Sequence, residues 1–422
     1  MMRQRLGLLV LPLLLISVLG FSQGKVTLNW WHEFGSGGEK DGMDLLISTW
    51  NKANPDIQIT QRPIGNEEFF TVIRTGLAGD QPPDLLQYEG NQQTRDFAKA
   101  GQLQDITDIW NQVKDNYTLF RDNVISGISY EGKVYALPYS WHGGFQIYYN
   151  KDMLAAMKMP VPKTFEEFLA DCEKFKQKGI APISLGAKNG WPAMQWWQIF
   201  LAQRVGAKRV NDALWLRNGV KWTDPDFVQA ASEFVSLKTK GYFSEGFASD
   251  DYGTAQSAFY ASKSPFFETG TWLINDAADN PPPFNFGFFP VPRYSNAKVK
   301  TDSVGALLTT FGVPSRGQHV PEALKVTKWL SGPQANGIWA RRAGVIVLYK
   351  GLMEKFAPGY LNEIFAAVYK DVKGGTVPWL ENESPPAVGE DLIYNGTVAM
   401  LTGDLTVNQF LTNLQAGYEK YR

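Results

Sequence analysis

Histidine and cysteine are nearly absent from this chain, with three and one among 422 residues. A single cysteine excludes an intramolecular disulfide. Cys172 shares one helical face with Phe165, Phe168, Leu169 and Phe175, which marks it as a small buried apolar residue rather than a reactive thiol. The histidines, His32, His142 and His319, form no i, i+4 pair and no H-E-x-x-H pattern, so no metal site is expected. There is no G-x-x-x-x-G-K-S/T loop to cradle phosphates, and no cofactor is implied. No basic stretch stands out either. The 41 basic residues face 42 acidic ones, which argues against nucleic acid and selects for no charged ligand.

Long apolar runs are also missing, apart from one at the start. Arg3 and Arg5 precede the run Leu6 to Leu19, and small residues follow, among them Ser22 and Gly24. That order reads as a secretory signal peptide over residues 1–24, with cleavage expected between Gly20 and Lys25. The run falls short of the roughly 20 apolar residues that a membrane span needs. No cysteine lies near the cut, so a lipoprotein is not expected. The mature chain should be a soluble periplasmic or secreted protein. Its length of about 400 residues exceeds what one core usually supports, so two or more domains are expected.

What remains is a repeated alternation of strand and helix. Val26 to Trp30 alternates as a strand, and Met43, Leu46, Ile47 and Trp50 follow with helical spacing. Ile57 and Ile59 restart a strand, Phe69, Ile73 and Leu77 line a helix, and Asp84 to Leu86 is a short apolar strand. This is a βαβαβ unit with a parallel sheet, and such sheets bind ligands beyond the carboxyl ends of their strands. Those ends are Trp31-His32-Glu33 and Gln87 to Asn91. Leu137 to Asn150 reads as one extended segment interrupted by Gly143-Gly144. A second α/β run follows, with the capping-box spacing of Thr164 and Glu167, a strand at Ile183 to Leu185, and a helix from Met194 to Val205. Val304 to Val313 reads as a buried strand.

In this setting Asn54-Pro55-Asp56, Gly79 to Asp84, Ala100 to Leu103, Gly132 to Pro138, Tyr149-Asn150-Lys151, Thr164 to Phe168 and Gly270-Thr271-Trp272 occur in a fixed order. Each motif alone is weak. The ordered set resembles the family 1 extracellular solute-binding proteins of ABC transporters, nearest to the glucose/mannose- and maltose-type sugar binders. The resemblance implies a periplasmic-binding-protein-like fold of two α/β lobes, with a ligand cleft and hinge crossings between them. It places residues 25–138 and 297–342 in the first lobe, and 139–296 and 343–422 in the second. It implies a monomer that hands a neutral mono- or small oligosaccharide to membrane permease subunits.

A sugar presents hydroxyls at its edge and apolar C–H faces, so its site needs aromatic planes and a few hydrogen-bonding side chains. The candidates are Trp31, His32, Glu33, Gln87, Glu89, Asn91, Trp141, His142, Trp191, Trp196, Trp272, Asp302 and Trp379. Trp30 and Trp31 point to opposite faces by alternation, and the resemblance favours Trp31 for the cleft. Trp272 is the foremost stacking residue, and Asp302 matches an acidic position of glucose-type relatives. Asp84 is assigned to local backbone bonding. No catalytic residue is expected. Two other readings stay open: a receptor for a polyamine or peptide, and a glycosidase, for which Glu33, Glu89 and Asp302 supply carboxylates. The mixture of Gln87, Asn91, His32 and His142 with acids favours hydroxyls over amines.

Overall fold

Strand β1 (Val26–His32) buries Leu28 and Trp30 with the expected period of two, but Trp31 and His32 are buried as well. Covering on both faces is what a central parallel strand receives from its flanking helices. Strands β2 (Ile57–Pro63) and β3 (Leu85–Glu89) pair parallel to β1 on either side, as the alternation requires. Helices α1 (Gly37–Ala53), α2 (Asn66–Ala78) and α3 (Gln92–Lys99) link or follow them. The computed structural model describes residues 25–117, 122–143, 145–299, 303–304, 306–343, 345–356 and 376–421. The proposed signal peptide lies outside them.

Strand β4 (Ala136–Gly143) belongs wholly to this first sheet. Its neighbour Gln146–Asn150, β5, belongs to a second sheet. The extended segment foreseen over Leu137 to Asn150 is therefore two strands, and the chain passes between sheets after Gly143 rather than within Leu137 to His142.

The second sheet also contains β6 (Ile183–Ser184), β7 (Phe266–Thr269) and β8 (Phe286–Pro290), in the order β8-β5-β7-β6. After β8 the chain returns to the first sheet as β9 (Ala306–Gly312), antiparallel to both β3 and β4, giving the order β2-β1-β3-β9-β4. Two apolar clusters result: one fills the first lobe and runs on to Tyr148, Phe259, Phe267 and Leu273 of the second, and the other fills the rest of the second lobe. Val345 to Leu348 pack in the first core, and Val377 to Leu380 in the second.

Helices of the second lobe begin where the sequence marks them. In α4 (Phe165–Gln177) the Thr164 hydroxyl accepts from the Glu167 amide at 3.2 Å, and Cys172 is fully buried. In α5 (Trp191–Arg204) every residue from Pro192 to Arg204 is buried. A helix without an exposed face carries no periodic signal of which side meets which neighbour. Helix α6 (Pro225–Thr239) packs against it with Phe227, Ala231 and Phe234 buried. Helices α7 (Tyr252–Tyr260) and α8 (Trp272–Asp279) then bring aromatic residues to the gap between the lobes.

Candidate functional site

Strands β1 and β3 end side by side, so Glu33, just past β1, and Glu89, the last residue of β3, both reach the space beyond the sheet. That space is a cavity of about 540 Å³, within the range of about 300–1,000 Å³ that encloses small ligands. Its opposite wall comes from the second lobe: Trp191 opens α5, Tyr252 opens α7, Trp272 opens α8, and Trp379 lies before the turn Glu381–Glu383.

The three tryptophans form one aromatic surface. Their ring centroids are 5.9 Å (Trp191–Trp272), 6.2 Å (Trp191–Trp379) and 6.5 Å (Trp272–Trp379) apart. Two of the indoles are held by phenols: Trp272 Nε1 donates to Tyr252 Oη and Trp379 Nε1 to Tyr394 Oη, each at 3.1 Å. Gly270 is needed for this arrangement, because a Cβ there would stand 2.1 Å from the Trp272 ring. With their polar edges bonded, the rings offer apolar area to a ligand.

Carboxylates line the facing wall and the rim. Glu33 is fixed by a reciprocal pair: its amide donates to Gln87 Oε1 at 3.0 Å, and Gln87 Nε2 donates to Glu33 Oε1 at 2.9 Å. Gln87 is fully buried behind it and does not line the cavity. Burial pushes the Glu33 and Glu381 carboxyls up to about 7. Burial first, and then the charge of neighbouring carboxylates, holds Glu39 and Glu89 well above the ordinary range.

Of the thirteen residues read from sequence, the structure brings Glu33, Glu89, Trp191, Trp272 and Trp379 together on this cavity. Five others belong elsewhere. Trp31 lies under the Arg62 guanidinium and against α2, where a Cβ on Gly76 would meet its ring at 2.4 Å. His32 is fully buried, with Nε2 at 3.0 Å from Gln61 Oε1, and burial lowers its pKa to about 4. Asn91 is buried at the start of α3, its amide bonded to the Gly127 carbonyl at 2.8 Å. Trp141 is buried in the first core, its amide donating to the Ile346 carbonyl at 2.8 Å. Trp196 packs between Phe168 and Phe243 in the second core. Asp302 and the His142 side chain fall outside the described residues. Asp84 accepts from the Asn29 and His319 amides, so it bonds backbone as assigned, but across the fold rather than locally.

Sequence reasoning missed Glu39, Tyr252, Asp276, Glu381 and Tyr394, all of which line the cavity. Asp276 had a usable signal, since it follows Trp272 by one helical turn. Glu381 sits two residues after Trp379. Tyr394 ends a π-helical stretch, Gly389–Tyr394, whose wider turn gives no 3.6-residue cue.

A family model described as bacterial extracellular solute-binding protein matches residues 36–337. An uncharacterized ABC transporter extracellular-binding protein of Pyrococcus horikoshii is 26% identical over 311 residues, covering 72% of this chain and 66% of that one. The match thus spans just under two thirds of that relative's length. The multiple sugar-binding protein of Streptococcus mutans is 24% identical over 343 residues, covering 79% of this chain and 77% of its own. Among solved structures, a chitin oligosaccharide binding protein superposes with a TM-score of 0.82 at 22% identity, over 94% of this chain and 99% of that one, which shows a shared fold.

Proposed function

Because the chain belongs to the bacterial extracellular solute-binding protein family, we propose that it is a sugar receptor of an ABC-type importer. It captures a mono- or small oligosaccharide outside the inner membrane and presents it to permease subunits. The observation that carries this reading is the wall of Trp191, Trp272 and Trp379 facing carboxylates at the ends of β1 and β3. Flat aromatic area meets the apolar C–H face of a pyranose, while fixed carboxylate oxygens accept from its hydroxyls. The sugar-binding relative from Streptococcus mutans supports the same reading.

The mature protein begins between Phe21 and Lys25 and acts as a soluble monomer without a lipid anchor. Its lobes exchange chain after Gly143, between β8 and β9, and between Leu348 and Thr376. Closure over the ligand is a hinge motion about these crossings, driven by contacts that only the closed form makes. Family 1 receptors bind rather than transform their ligands, and this chain does the same.

A thermal-shift screen against mono- and disaccharides, followed by titration calorimetry, tests the proposal. At least one sugar should raise the melting temperature and bind one to one. A flat response across the sugars, with stabilisation by a peptide or a linear polyamine instead, would overturn it.

A further inference from the structure

The cavity is lopsided in charge. Six acids line it: Glu33, Glu39, Glu89, Asp276, Glu381 and Glu390. Among the described residues Lys188 is the one basic residue on its lining, and its side chain is exposed. Glu390 is answered by an ion pair with Arg74. Glu33 and Glu381 have an amide and a phenol as hydrogen-bond partners. The near balance of the whole chain hides this concentration, because the acids converge from α1, β1, β3, α8 and the 381–390 segment.

Three of the groups expected to recognise neutral hydroxyls lie elsewhere, and the His142 side chain is outside the described residues. His32, Gln87 and Asn91 do not line the cavity, and His32 and Gln87 are bonded within the first lobe. What the cavity keeps is six acids and the aromatic faces, with Ser36, Thr71, Asn189 and Asn395 as its neutral hydrogen-bonding side chains. Like charges held together in a poorly solvated space raise each other's energy, and a cation entering among them relieves it. Tryptophan is also the best aromatic partner for a cation over its face.

Resting on the sugar-receptor reading, we infer that the ligand is an amine-bearing sugar, whose ammonium sits among Glu33, Glu39, Glu89 and Asp276 while its ring stacks on the tryptophans. The three indoles, 5.9–6.5 Å apart and mutually tilted, present a broad surface suited to a ring rather than to a thin alkyl chain.

Calorimetry with matched pairs tests this: glucosamine against glucose, and the unacetylated glucosamine disaccharide against cellobiose, with spermidine as a linear amine. At low salt the amine member of a pair should bind at least tenfold tighter, and the ratio should shrink as salt is raised. Glu39→Gln and Asp276→Asn, each checked for an unchanged melting curve without ligand, should narrow the ratio. Equal or tighter binding of the neutral members overturns the inference and leaves the sugar reading intact. Binding of no member of the set overturns the inference, and binding of spermidine alone overturns both.

Discussion

Arg95 on α3 donates to Glu383 of the second lobe at 2.8 Å, and both side chains are largely buried. With Arg74 and Glu390 a short distance away, two ion pairs tie the helices that flank β3 to the segment carrying Trp379. Such contacts exist only while the lobes are together, so they favour the closed arrangement. Arg95→Ala should cost about 1.5–3 kcal/mol of that preference, the range for a hydrogen bond to a charged partner. Small-angle scattering without ligand should show an expanded molecule, and ligand dissociation should speed up by roughly tenfold. Unchanged scattering and kinetics would mean the pair is incidental.

Trp272→Ala should weaken every accepted sugar by about 2 kcal/mol, the scale of a buried aromatic anchor. The loss should be similar across epimers, because every pyranose has an apolar face. Titration calorimetry reads it directly. Removing the ring also takes one donor from the Tyr252 hydroxyl, leaving Thr269 Oγ1 at 3.5 Å, so Tyr252→Phe isolates that smaller contribution.

Trp196→Ala should behave in the opposite way. The ring is fully buried against Phe168 and Phe243, so truncation should cost about 3–5 kcal/mol of folding stability. Affinity of the folded fraction should stay within about twofold. Urea unfolding and calorimetry separate the two effects.

The ligand-free protein should grow more stable as pH falls from 8 toward 6. Glu33, Glu39, Glu89 and Glu381 all have folded pKa values raised by burial, so the native state binds protons before the unfolded chain does. Between the unfolded value near 4.5 and the folded value near 7, stability therefore drops as pH rises. His32 opposes this: its folded pKa of about 4 lies below the unfolded 6.5, so its stabilising contribution is lost as pH falls through that interval. Four carboxyls outweigh one imidazole in the overlap. Melting curves from pH 5 to 8 measure the sum, and His32→Gln should steepen the gain on the acid side.

Candidate sugars should come back chemically unchanged after long incubation at high protein concentration, as chromatography would show. Hydrolysis that disappears on Glu33→Gln or Glu89→Gln would move the protein into the glycosidase class.

The parallel unit of β1, β2 and β3 was legible because apolar spacing switches cleanly between periods of two and 3.6. The site was only partly so. Alternation along β1 opposed Trp30 to Trp31, yet both are buried, because helices cover the sheet on both sides. In α5 the expectation that Trp191 and Trp196 both face the cleft had no periodic basis, since the helix is enclosed all round; only Trp191, at the helix start, reaches the cavity. The acids were hidden for a different reason. Glu39, Asp276 and Glu381 lie on three segments far apart in sequence, and each looks like an ordinary surface residue until the fold brings them together.

Cys172 closes a different question. It is the only thiol in the chain, it is fully buried, and burial pushes its pKa well above that of a free thiol. Thiol-directed dyes would therefore find nothing to react with on the folded native surface. A cysteine introduced beside the closing edge, for example near Arg95 or Glu383, would be the sole labelling point. The unmodified scaffold is ready to become a fluorescent reporter of its own ligand without first removing a native cysteine.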